Sequence, residues 1–78
     1  MLYPNPANTD INLLLETSKE TDIFIGLYNI KGGLIFMEKV KNSQVVMKRY
    51  PVGNLSPGIY ILKVVTPYEQ QTFKVVKK

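Results

Sequence analysis

Apolar residues recur along most of this chain at every second position, the period of a strand with one buried face. Ile11, Leu13 and Leu15 alternate with Asn12, Leu14 and Glu16, which predicts a first strand. Ile23, Ile25 and Leu27 share one face of a second, residues 22–28, and residues 34–40 return as a third. A fourth covers residues 44–50, where Val45 and Val46 are both apolar and leave the pairing register open. The strand over residues 58–66 has Tyr60, Leu62 and Val64 on one face and Ile59, Ile61, Lys63 and Val65 on the other. Only one charge interrupts its two faces, so it is expected to be central and covered on both sides. The last strand, residues 70–77, sets Phe73 and Val75 opposite Lys74 and Val76.

Turn chemistry separates these runs. Residues 3–9 cannot be helical, because Pro4 and Pro6 push their predecessors to extended geometry; they form a lead-in that Tyr3 is expected to pin. The polar run Thr17–Thr21 reads as a connection, and Asn29–Gly33 as a hairpin turn whose glycines supply positive φ. Lys41–Ser43 reads as another turn, Pro51 ends the fourth strand, and Thr66–Glu69 forms the last turn. Pro57 and Gly58 suit the two central positions of a type II turn. No stretch has helical period. Six strands joined by short turns point to an all-β fold, an immunoglobulin-like antiparallel β-sandwich of about seven short strands or a small barrel, and the sandwich is the expectation adopted. Leu55, the Pro-Gly pair and Tyr60 resemble the corner of such sandwiches, where a Tyr hydroxyl bonds back to upstream backbone. Tyr60 is either that Tyr or a half-buried strand aromatic.

Composition then removes most chemistry. A chain of 78 residues is one domain, residues 1–78, and at this size roughly 60% of the unfolded surface is buried on folding. Neither Cys nor His occurs, which removes the usual nucleophile–base pairs and zinc ligands. The acids Asp10, Glu16, Glu20, Asp22, Glu38 and Glu69 are scattered on strand ends and loops, so no enzyme activity is expected. Glu20 and Asp22 lack the further oxygens a calcium ion needs, and no helix follows Gly32-Gly33 to make a phosphate cradle. Basic residues accompany Tyr50, Tyr60, Tyr68 and Phe73, but in no nucleic-acid-binding pattern. No cofactor, metal or nucleic acid is therefore expected. No apolar run approaches the ~20 residues of a membrane-spanning helix, and no secretory leader is visible. Met1 before Leu-Tyr-Pro-Asn-Pro reads as an added start, and the chain as a fragment from the end of a longer secreted protein.

Charge is unevenly placed. Residues 1–38 carry two Lys against five acids, and residues 39–78 carry eight Lys or Arg against Glu69 alone. Solvated strand faces explain this most simply; a surface for an anionic partner is the sharper alternative.

Four landmarks occur in order: Tyr3-Pro4-Asn5-Pro6-Ala7-Asn8 with Ile11-Asn12-Leu13; Leu27-Tyr28-Asn29-Ile30-Lys31-Gly32; Leu55-Ser56-Pro57-Gly58-Ile59-Tyr60; and Phe73-Lys74-Val75-Val76-Lys77-Lys78. As a set they closely resemble the C-terminal sorting domain of type IX (Por) secretion cargo proteins from Bacteroidetes, over essentially the whole chain. Asn29 stands where that family often has Asp, and Asp10 is displaced by one position through Thr9. The resemblance implies an address label with an immunoglobulin-like fold. Cargo would cross the periplasm and then be secreted or held at the outer-membrane cell surface. A translocon and its shuttle protein would read the domain, and a sortase-like cysteine peptidase would remove it and join the cargo to an anionic lipopolysaccharide. Tyr3, Pro4, Asn5, Pro6, Gly32, Leu55, Gly58, Tyr60 and Phe73 are the structural motif positions. Recognition is expected on the last strand, with Phe73 and Val75 inward and Lys74, Val76, Lys77 and Lys78 available to a partner; a dimer through edge strands is also open. The rival from another class is an immunoglobulin-like adhesive module that binds glycan or protein.

Overall fold

The structure, a computed structural model, describes residues 1–78 and is all-β. Its strands are β1 (Leu2–Tyr3), β2 (Asp10–Asn29), β3 (Leu34–Pro51), β4 (Gly58–Val65) and β5 (Gln70–Lys77). They form one antiparallel sheet in the order β1-β2-β4-β5, with β3 on the other edge of β2. The sandwich-like, immunoglobulin-like architecture agrees with the sequence; the strand count does not. The first two expected strands are the single 20-residue β2, and the third and fourth are the single 18-residue β3.

The difference lies at a corner. Pairing of β2 with β3 runs from Asp10↔Pro51 to Tyr28↔Leu34, with register shifts between Glu16 and Ile23. Thr17–Thr21 and Lys41–Ser43 are therefore not loops. They are the place where a long two-stranded ribbon bends and folds back on itself. There the chain passes from one layer to the other, so little side chain is buried, and the sequence turns polar although backbone pairing resumes beyond it. Asn42 takes the bend with a φ of 48°, and its N–H donates to Asp22 Oδ1 at 3.1 Å. That bond, with Lys39 beside it, holds the Asp22 carboxyl below its ordinary range. The buried Thr17 hydroxyl lies 2.7 Å from the Lys19 carbonyl and 3.3 Å from that of Gln44.

Folding back brings the two halves of β3 together. The Phe36 and Tyr50 rings meet at 4.8 Å, and the Tyr50 hydroxyl donates to Glu38 Oε1 at 2.7 Å. Between the layers lies one core: Ile11, Leu13, Leu15, Val46, Tyr50 and Val52 from the first half of the ribbon and its exit meet Ile23, Ile25, Leu27, Tyr60, Leu62, Val64 and Val75 from the other layer. Central strand β4 is covered on this side only, contrary to the two-sided expectation. Its outward Ile59 and Val65 are each 38% exposed. A two-layer fold has one interior, and an apolar outward face does not create a second.

Local chemistry fixes the connections. Asn29 Oδ1 accepts from the N–H groups of Lys31 and Gly33, at 3.0 and 2.8 Å, and Gly32 supplies a φ of 90°. At the β4–β5 turn, the buried Thr66 Oγ1 accepts from the N–H groups of Tyr68 and Glu69. The turn before β4 is not type II at Pro57-Gly58. Leu55 N–H closes it on the Val52 carbonyl at 3.0 Å, and Gly58, with φ 154°, already begins the strand. Tyr60 is buried and its hydroxyl donates to the Ser56 carbonyl at 2.7 Å, which is the corner geometry.

Candidate recognition surface

β5 pairs with β4 from Gly58↔Lys77 to Val65↔Gln70, and its other edge would be open were it not for the lead-in. Asn5 acts there as a one-residue strand. Its side-chain amide donates to the Lys74 carbonyl at 2.7 Å, and its Oδ1 accepts from Val76 N–H at 2.9 Å. Ala7 continues the pairing: its N–H donates to the Val76 carbonyl at 2.7 Å, and its carbonyl accepts from Lys78 N–H at 2.8 Å. Ala7 is fully buried, so its methyl fits where a larger side chain would not. Tyr3, expected to pin this segment, is 47% exposed and pairs with Asn12 at the far end of the sheet; the anchor is Asn5. Pro4 and Pro6, both in cis, flank it.

The last strand keeps its period of two, which corrects one residue. Phe73 is half-buried against the core and Val75 is buried, as expected. Lys77 shares their parity and is only 8% exposed, its Nζ donating to the Lys78 carbonyl at 3.1 Å. An inward position at a strand end takes a Lys because the stem covers apolar surface while the ammonium reaches the rim. Lys77 is thus a packed side chain and not an outward contact. Lys74, Val76 and Lys78 do lie away from the core.

Lys74 and Val76 extend an outward face across three more strands. Register places Phe24 beside Val65, Gly26 beside Lys63 and Tyr28 beside Ile61 on β2 and β4. On β4 and β5 it places Ile59 beside Val76, Ile61 beside Lys74 and Lys63 beside Thr72. Met37 of β3, opposite Gly26, is exposed. Phe24 is 40% exposed. A Cβ on Gly26 would meet the Tyr28 ring at 3.0–3.3 Å, so that ring lies down over the glycine. Lys63 Nζ stands 5.0 Å from the Tyr28 ring centroid, and Lys39 Nζ 5.5 Å from that of Phe24. Sequence reasoning did not single out Phe24, Gly26 or Met37, and it named Tyr28 only as part of the second landmark. The signal was present: the outward positions of residues 24–28 carry aromatics and a glycine where a solvated face would carry charge.

Elsewhere the side chains do structural work. Glu38 is met by the Tyr50 hydroxyl and by Lys48 Nζ at 3.5 Å, a strut across the open edge of the sandwich. Burial, with Glu38 beside it, pushes the Tyr50 phenol up from its ordinary value. A shallow hollow of about 190 Å³ lies between Tyr3, Leu14, Met47 and Arg49. No three His, Cys, Asp or Glu converge, and no helix is long and apolar enough to cross a membrane. Asn5, Gly32, Leu55, Gly58 and Tyr60 each hold a turn, a corner or a strand edge in place.

No curated protein matches the chain at a significant level. The model of one family, the secretion system C-terminal sorting domain, matches residues 1–78, the whole chain. With the clasp that Asn5 and Ala7 form on the edge of β5, the Tyr60 corner and the Asn29 hairpin in place along that same span, the chain belongs to the family of type IX (Por) secretion sorting domains, which is not an enzyme family.

Proposed function

We propose that the domain is the address by which a cargo protein, after reaching the periplasm, is carried through the type IX system across the outer membrane. The translocon and its shuttle protein read the folded domain. A sortase-like cysteine peptidase then removes it and leaves the cargo at the cell surface, and all catalysis belongs to these partners. The family match over residues 1–78 carries this reading.

The geometry supports it in one respect. A signal read as a folded object needs its last strand fixed in place, and Asn5 and Ala7 hold β5 at Lys74, Val76 and Lys78. Recognition falls on the outward side of that strand, at Lys74, Val76 and Lys78, with Phe73, Val75 and Lys77 anchoring it from within. Strand addition, the common way to read an edge, is confined to what the clasp leaves uncovered around Gln70–Thr72.

The test fuses residues 2–78 behind a periplasmic reporter in a host that has this secretion system. Reporter outside the cell is expected; reporter retained in the periplasm, with the fused domain folded, overturns the reading.

A further inference from the structure

The outward face of the sheet is largely apolar and one-sided in charge, with Lys63 in the middle of β4 between Gly26 and Thr72, and Lys74 on β5 beside Ile61. Phe24, Tyr28, Ile61 and Val65 are neighbours across β2 and β4, and Ile59 and Val76 continue the surface to β5. Among the outward positions of residues 22–28, β4 and β5, the one acid is Asp22. It is already occupied, 3.4 Å from Lys39 Nζ and bonded by Asn42 N–H. Lys63 and Lys74 have no carboxylate. They are diagonal neighbours, since Lys63 faces Thr72 and Lys74 faces Ile61, and two like charges so placed repel unless an anion sits between them.

We propose that this face, with Lys63 and Lys74 as its cationic contacts, docks a protein surface that presents carboxylates beside an apolar centre. The proposal deepens the reading of the domain as a sorting signal and rests on it. Charge complementarity selects the partner's sign. The chemistry of the face selects a protein over a lipid surface. Its aromatics carry charge with them: Tyr28 lies over Gly26 with Lys63 Nζ 5.0 Å from its ring centroid, and the 40%-exposed Phe24 has Lys39 Nζ 5.5 Å from its own, so either ring would take an ammonium into a bilayer. Two lysines also fall short of the clusters of about 4–8 basic residues that anionic lipids recruit. An apolar face that carries two lysines without carboxylates of their own instead fits a protein partner that brings carboxylates to meet them.

The test uses the reporter fusion with Lys63→Gln/Lys74→Gln, with Lys63→Arg/Lys74→Arg, and with Lys19→Gln/Lys31→Gln as a control on other surfaces. Melting temperatures are measured on the purified 78-residue chains, which are also mixed with vesicles containing phosphatidylglycerol. Loss of extracellular reporter with the first pair is expected, along with export kept by the Arg pair and the control, unchanged melting, and no vesicle binding. Lys74→Glu alone should lose export in the same way, which keeps the result independent of the Lys63–Tyr28 contact. Normal export of the Gln pair overturns the docking face and leaves the sorting signal standing. Failure of the unsubstituted fusion to be exported overturns both. Vesicle binding that depends on Lys63 and Lys74 overturns the protein partner in favour of a lipid surface.

Discussion

Two side chains show how much a single polar contact decides in a core this thin. The Tyr60 hydroxyl, 2.7 Å from the Ser56 carbonyl, ties the β4 strand to the segment that enters it. Tyr60→Phe keeps the ring and leaves that part-buried carbonyl without its donor. The expected cost is about 1–2 kcal/mol. For a domain of this size that lowers the melting temperature by roughly 4–8 °C per kcal/mol, which thermal denaturation followed by circular dichroism will register. Lys77 gives a second comparison. Its stem is packed on the Val75 side of β5 while Lys78 is exposed. Lys77→Ser should therefore destabilise by about 1 kcal/mol through lost packing, and Lys78→Ser by less than about 0.5 kcal/mol. Equal effects would mean that the Lys77 stem contributes no packing. Tyr50 extends the argument to pH. Burial and Glu38 raise its folded-state value above 10.0, so the folded chain holds that proton more tightly than the unfolded one. The stability it contributes is complete below about pH 10 and is lost as pH rises from there towards the folded value. Alkaline denaturation monitored above pH 10 should be displaced upward by Tyr50→Phe, although that variant is less stable at neutral pH.

At the scale of elements the informative feature is the bent ribbon. Asn42 adopts φ 48° at the bend, a conformation that costs most side chains but suits Asn and Gly. Asn42→Gly is expected to be nearly neutral. Asn42→Val should cost about 1–2 kcal/mol or more, because a β-branched side chain is strained there, and urea midpoints of the two variants measure the difference. The bend also marks where the sequence stopped being legible. Strand positions, inward faces and the Tyr60 corner were readable, since burial on one face imposes a period of two. Continuity was not. At Thr17–Thr21 and Lys41–Ser43 the ribbon crosses between layers, and a strand that buries little there has the composition of a turn. The clasp was illegible for a related reason. Asn5 is a turn-forming residue by type, and nothing local says that its amide will pair with backbone at residues 74 and 76. Lys77 was legible and misread: period two put it with Phe73 and Val75, while its charge suggested the opposite face.

On the scale of the whole molecule, the two ends of the chain close the fold. The sheet has β3 along one edge of β2 and β1 and β5 at the ends of the other path, and β5 is covered by the Asn5–Ala7 segment at sequence separations of 71 and 69. Contacts of such separation order little until both ends are in place, so the clasp is the last structure to repay its entropy. It is also exposed around Asn5, which makes it the natural first point of local opening. Asn5→Ala removes both side-chain bonds, to the Lys74 carbonyl and from Val76 N–H, and leaves the Ala7 bridge alone to hold the edge. The amide of Val76 should then exchange with solvent at least about tenfold faster, since losing roughly 1.4 kcal/mol of local protection changes an equilibrium tenfold. Amides between β2 and β4, such as those near Leu27 and Leu62, should slow or quicken only with the global stability. Hydrogen exchange read residue by residue separates the two cases. If Val76 and Leu62 accelerate together, the clasp is part of one cooperative unit and the β5 edge never opens by itself. If Val76 alone accelerates, the domain carries an edge whose exposure is set by a single asparagine at the other end of the chain. A partner that adds a strand along residues 74–78 would then bind Asn5→Ala more readily than the unsubstituted domain.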